Sequence, residues 1–161
     1  ILISSTADWG IRRLRELDPT LMLGFDPLLY LDVNIGETRP QNAPPFRAGA
    51  YGYLDDHPLS AQVWGQNGEY LAARAEVLFA QVPEGLTWFI RAALLLQAME
   101  DGFNWVRFLH SRHSSVAAWT LDVGEPRQVA AAGRLIKIGV DFITTNTAVQ
   151  LAQSLTTPVS Y

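Results

Sequence analysis

"GVDFITTNTAVQLAQSL", residues 139–155, is the stretch on which the fold turns. Gly139 can end a preceding helix in the left-handed region, which a residue with a Cβ resists. Val140 to Thr145 are β-branched and apolar, the composition of a short strand. Asn146 can cap the next helix by accepting the free N–H groups of its first turn. A strand that runs straight into a helix, with no hairpin turn, is a β–α unit of a parallel sheet.

The same alternation extends outward from this unit. "ILIS", residues 1–4, is a short apolar run of the buried parallel-sheet type. Asp8 is placed to cap a helix through Leu17, with Ile11, Leu14 and Leu17 on one face. "DPT" stops it, and "LMLGFD", 21–26, reads as a second strand. A helix from about Glu69 to Val82 comes next, with Leu71, Ala75, Leu78, Phe79 and Val82 as its stripe. "LTWFI", 86–90, is a third strand. Residues 92–112 read as helix with a break near Asp101-Gly102, and Leu95, Leu96, Met99, Phe103, Val106 and Leu109 point inward. "VAAWTLD", 116–122, is a fourth strand. Residues 125–139 form a helix with Pro126 in its first turn and Gly139 at its end.

Five β–α units in strict alternation predict an α/β fold with a parallel sheet. Five are too few to close an eight-stranded barrel. The expected organisation is one domain over 1–155 and a tail at 156–161. Residues 27–66 interrupt it with five prolines and several glycines among aromatics, an insertion or lid after the second strand. A chain whose first residues already lie in a strand is expected to lack an upstream part.

Composition narrows the function classes. With 48% hydrophobic and 17% charged residues the chain is globular rather than disordered. A net charge of −4 and no dense basic run argue against nucleic acid or an acidic membrane surface as partner. No cysteine is present, so disulfides and thiolate metal sites are excluded. No apolar run reaches the length of a membrane span. The expectation is a soluble chain, with the cytoplasm as favoured compartment. Lys137 is its only lysine, a bias with no chemical reading.

Three stretches together resemble the glycerophosphodiester phosphodiesterase family. "ILISS" followed by "LRELDP" and "LMLGF" looks like its middle strands. "VAAWTLD" is similar to its Val-x-x-Trp-Thr-Val-Asn strand. "IGVDFITTNTA" is similar to its closing Gly-Val-Asp-Gly-Ile-x-Thr-Asp-x-Pro strand. The resemblance covers most of the chain outside 27–66 and implies strands four to eight of a TIM-type (β/α) barrel. The family's His-Arg-Gly, Glu-x-Asp, His-Asp and Glu-x-Lys segments have no counterpart here. Three positions depart from the pattern: Asp122 stands where Asn is usual, Asn146 where Asp is usual, and Phe142 where a small residue is usual.

The resemblance implies that an intact enzyme would cleave a glycerophosphodiester to glycerol phosphate and an alcohol, in glycerophospholipid metabolism, with a divalent cation, Ca or Mg. This chain is expected to hold no cofactor, to carry no catalytic residue and to be inactive alone. Phosphodiester hydrolysis needs charge stabilisation, a base and an acid, usually a carboxylate-held cation and histidines. Two alternatives are a non-catalytic half-barrel that binds a phosphorylated ligand, and a module that self-associates through open sheet edges.

The substrate-binding candidates are Trp119, Arg91, Ser5 and Asn146. Trp119 ends its strand on the rim where barrel enzymes place functional groups, or it packs the core. Arg91 follows "TWFI" directly and could grip a phosphate, or form an ion pair. Ser4 and Ser5 end the first strand on the same rim. Asn146 and Thr147 open the last helix, whose N–H groups could receive an anion, or simply be capped. His57 in "DDHP" reads as a turn or, with Asp55 and Asp56, a metal site. His110 and His113 are three apart on a helix end. The aromatics Phe46, Tyr51, Tyr53 and Trp64 of the insertion, and Trp105 and Phe108, are expected to pack.

Overall fold

The computed structural model describes residues 1–33 and 66–156. They form one parallel five-stranded sheet whose spatial order follows the chain order. The strands are β1 (Leu2–Ser5), β2 (Met22–Phe25), β3 (Thr87–Arg91), β4 (Ser115–Trp119) and β5 (Phe142–Ile143). The helices are α1 (Asp8–Leu17), α2 (Asn67–Ala80), α3 (Ala92–Glu100), α4 (Trp105–His110), α5 (Pro126–Ile138) and α6 (Ala148–Thr156). A doubly wound sheet would reverse its strand order; here each crossover lands beside the last strand, as around a barrel wall. The sheet is an open sector of a TIM-type barrel, with β1 and β5 as edges.

Alternation along the strands separates two faces. Leu23, Phe25, Trp88, Ile90, Val116 and Ala118 are buried in the core against the helices. Trp88 is its centre: it meets Phe25 edge-on at 5.0 Å and lies 6.2 Å from Trp105, which is buried as expected. The other residues of each strand line the concave face. Register carries this from strand to strand, Ser4 beside Gly24, Gly24 beside Thr87, Thr87 beside Ser115 and Ala117 beside Phe142.

The helix from 92 does break where Asp101-Gly102 interrupts it, with Gly102 at φ 90°. Gly139 ends α5 at φ 100°, and its N–H returns to the Leu135 and Ile136 carbonyls.

Several local expectations are corrected. Asp8 is the first helical residue rather than the cap; its carboxylate takes the Arg12 guanidinium and the Tyr30 hydroxyl. Leu17 points into solvent, because Ile11 and Leu14 already meet the core. The buried-type run at 1–4 is exposed, because it forms an edge of the open sheet and burial needs neighbours on both sides. His113 is not on a helix face with His110: α4 ends at His110, and His113 adopts φ 56° in the turn beyond it.

The first residues of the stretch read as an insertion are part of the barrel wall. Asp26 accepts the Leu28 N–H and starts a single 3-10 turn over Pro27–Leu29, after which Leu31, Asp32 and Val33 are buried. The expectations for His57 and for Phe46, Tyr51, Tyr53 and Trp64 lie outside the described residues, as does the tail beyond residue 156.

Candidate functional site

Parallel strands bring all their carboxyl ends to one rim, and that rim carries a cleft that combines hydroxyls, a carboxylate and aromatic rings. It has a volume of about 270 Å³ and is lined by Ser4, Asp26, Phe89, Trp119, Thr120 and Thr144, so each of the five strands or its following residue contributes. Phe89 forms its floor. The ring packs onto Gly24, where a Cβ would stand 2.5 Å from Phe89 Cε2. Beyond Phe89 the concave face opens into a larger basin of about 620 Å³, mostly apolar, whose walls include Leu2, Met22, Ala117 and Phe142.

Asp26 is the residue that sequence reasoning missed. Its signal was its place, an acid directly after the buried strand "LMLGF" and before Pro27. Oδ1 accepts the Leu28 N–H at 2.9 Å. Burial pushes its carboxyl up to about 6, against the lowering effect of that hydrogen bond, and the Asp32 charge adds to the rise. No cation pairs with it among the described residues. A carboxyl so placed can hold or release a proton near neutrality.

Arg91 ends β3 on the rim, but its guanidinium is engaged. Nη1 lies 2.5 Å from Asp32 Oδ2, and the other Asp32 oxygen accepts the Val33 N–H at 2.8 Å. Asp32 is 7% exposed, so the arginine neutralises a buried charge. Trp119 lies beside this pair and lines the cleft. Its indole Nε1 is shut off from solvent and has no hydrogen-bond partner among the described residues.

Ser5 and Ser4 divide as the pleat requires. Ser4 lines the cleft, whereas Ser5 turns its hydroxyl to the Ala7 N–H at 3.0 Å. Asn146 does not cap α6. Its backbone N–H and its Nδ2 reach the two oxygens of Asp122 at 2.8 and 3.1 Å, and the Thr145 hydroxyl joins them at 2.9 Å. The Thr147 N–H goes to Thr145 Oγ1, and the Val123 N–H to Thr147 Oγ1. The bonds from Asn146 and Thr145 hold the Asp122 carboxyl below the usual range. Asp122 and Asn146 thus face each other, and hydrogen bonds join them.

The Gly-Val-Asp motif serves the opposite end of the sheet. Asp141 Oδ2 accepts the Val116 N–H at 2.7 Å and meets His110 Nε2 at 2.9 Å. It ties the start of β4 to the end of α4. Among the described residues no three His, Asp or Glu side chains come together to hold a metal ion. No helix of these residues is long and apolar enough to cross a membrane.

No family model matches the chain, and no curated protein does. Among solved structures it is similar to a glycerophosphoryl diester phosphodiesterase of Silicibacter pomeroyi DSS-3, at 13% identity and a TM-score of 0.53. The match covers 96% of this chain and spans 37% of the length of that protein. The fold expected from the Trp-Thr and Gly-Val-Asp stretches is therefore the fold of that protein over the matched part.

Proposed function

We propose that the chain builds one wall of a glycerophosphodiester-cleaving hydrolase, the sector that faces the organic part of the substrate. The observation that carries this reading is the position of Trp119. The tryptophan of the Trp-Thr stretch lines a cleft at the carboxyl ends of the strands, in a sheet that has the fold of a phosphodiesterase. The residues of that cleft offer hydroxyls, a carboxylate and rings. Cleavage to glycerol phosphate and an alcohol, and the divalent cation it uses, are assigned to residues outside those described.

The test has two readouts. The reading frame upstream of the Ile1 codon is expected to encode a His-Arg-Gly strand and a Glu-x-Asp strand, and its longer product to hydrolyse glycerophosphodiesters with Mg²⁺ or Ca²⁺. The 161-residue chain alone is expected to hydrolyse them no faster than buffer. Metal-dependent turnover by the chain alone, or a start signal immediately before Ile1, would overturn the reading.

A second reading, self-association, is favoured by a separate observation. Ile1, Leu2, Met22 and Phe142 are exposed along the edges and concave face of the sheet. It predicts a dimer in sedimentation, and a compact monomer at micromolar concentration would exclude it.

A further inference from the structure

The charges at the carboxyl-end rim are arranged against an anion. Arg91 stands beside the cleft, and Asp32 holds it. Three backbone N–H groups after β4 and β5, those of Asn146, Thr147 and Val123, are taken by side chains of these loops. Asp122 adds a negative charge there. Inside the cleft Asp26 keeps one carboxylate oxygen, Oδ2, without a hydrogen-bond partner among the described residues, while Oδ1 is taken by Leu28. Among the described residues no basic side chain lines this cleft, and two of the six that line it, Phe89 and Trp119, are aromatic.

A carboxylate beside two aromatic rings, in a cleft of about 270 Å³, is the setting in which alkylated ammonium groups are recognised. An aromatic ring attracts a cation through the negative face of its quadrupole, and the carboxylate supplies the counter-charge. A metal ion would need more oxygen ligands than one acid and three hydroxyls at the rim provide without a second charge. We propose that this cleft receives an organic ammonium group, with Asp26 as counter-ion and Phe89 and Trp119 as the aromatic walls. The inference rests on the hydrolase reading in one respect only. It places the ammonium on the alcohol side of the phosphodiester, so that the range of substrates is narrowed to those with a cationic head.

Gly24 is part of the device. Without a side chain there, Phe89 can lie across the strand and close the cleft from below. The ring then serves the cleft rather than the core.

The experiment compares choline with its neutral carbon isostere, 3,3-dimethylbutan-1-ol, by calorimetric titration of the 161-residue chain at about pH 8, above the Asp26 pKa of about 6. The two probes match in shape and differ in charge. Choline is expected to bind roughly three- to tenfold more tightly. Asp26→Asn is expected to abolish that preference. It keeps an oxygen for the Leu28 N–H, so the turn at Pro27 is preserved, and its thermal melt verifies the fold. Phe89→Leu is expected to weaken choline while leaving the isostere unchanged. Equal affinities for the two probes, no binding of either, or a preference that survives Asp26→Asn would each overturn the inference. The hydrolase reading is judged on the reading frame and on turnover, so either can fail without the other.

Discussion

Phe89 rests on Gly24 across the concave face of the sheet, so closely that a Cβ at residue 24 would lie 2.5 Å from the Phe89 ring and 3.1 Å from the Ser4 Cβ. The two residues are far apart in sequence, and β2 and β3 are brought together by pairing of Gly24 with Thr87 and Phe25 with Trp88. Gly24→Ala is expected to displace the ring and destabilise the chain by about 1–3 kcal/mol, the usual cost of overpacking. Urea denaturation measures it. The double variant with Phe89→Leu is expected to recover part of the loss, and strictly additive effects would show that the two residues do not collide.

Arg91 and Asp32 are expected to behave as a structural pair. Asp32 is nearly buried, and removing its partner leaves an uncompensated carboxylate. Arg91→Met is expected to cost about 2–3 kcal/mol in denaturant melts. Adding Asp32→Asn to it is expected to return most of that stability. If Arg91→Met is neutral, the guanidinium is available to a ligand after all.

Asp26 sets a pH dependence of opposite sign to that of most carboxylates. Burial raises its pKa to about 6 in the folded chain. Its neutral form is favoured by folding, so its contribution is fully present below the ordinary carboxylate range and is lost as pH rises through about 6. Asp26→Asn is therefore expected to be more stable than the parent at about pH 8, by about 1–2 kcal/mol, and to match it near about pH 4. Thermal melts at the two pH values decide this.

Asp141 behaves in the ordinary way. Burial works to raise its pKa, but the hydrogen bonds from the Val116 N–H and His110 outweigh it and hold the carboxyl below its usual value. Its stabilisation is present above the ordinary carboxylate range and disappears as pH falls through the lowered folded value. Asp141→Ala is expected to cost about 1–2 kcal/mol near neutrality, since the Val116 N–H at the start of β4 loses its acceptor. The variant's acid-unfolding profile is expected to be shallower than the parent's.

Asp122 and Asn146 are expected to act as an acid–amide pair, which exchanging the two residues tests. Asn146→Asp alone puts two carboxylates within hydrogen-bond distance and is expected to lower the melting temperature. Asp122→Asn combined with it is expected to restore stability. A double variant no better than Asn146→Asp would show that the two side chains do not act as a pair.

Local decisions were legible in the sequence. β-Branched runs, helical spacing, the break at Asp101-Gly102 and the left-handed stop at Gly139 each depend on a few consecutive residues, and each appears where the residues require it. The order of the units then leaves a parallel sheet as the way to pair the strands. The rim residues were legible only as positions. That Arg91 is spent on Asp32 is a contact across 59 residues of chain, which no local pattern encodes. That Ser4 and not Ser5 meets the cleft depends on the pleat, in which a step of one residue exchanges the faces. The exposure of "ILIS" was hidden for a related reason, since burial is a property of a strand's neighbours and among the described residues β1 pairs with β2 alone. Asp26 became a candidate only when the fold placed it in one cleft with Phe89 and Trp119. Propensity is decided by short stretches of backbone, but the charge and solvation of a side chain are decided by whatever the fold brings beside it.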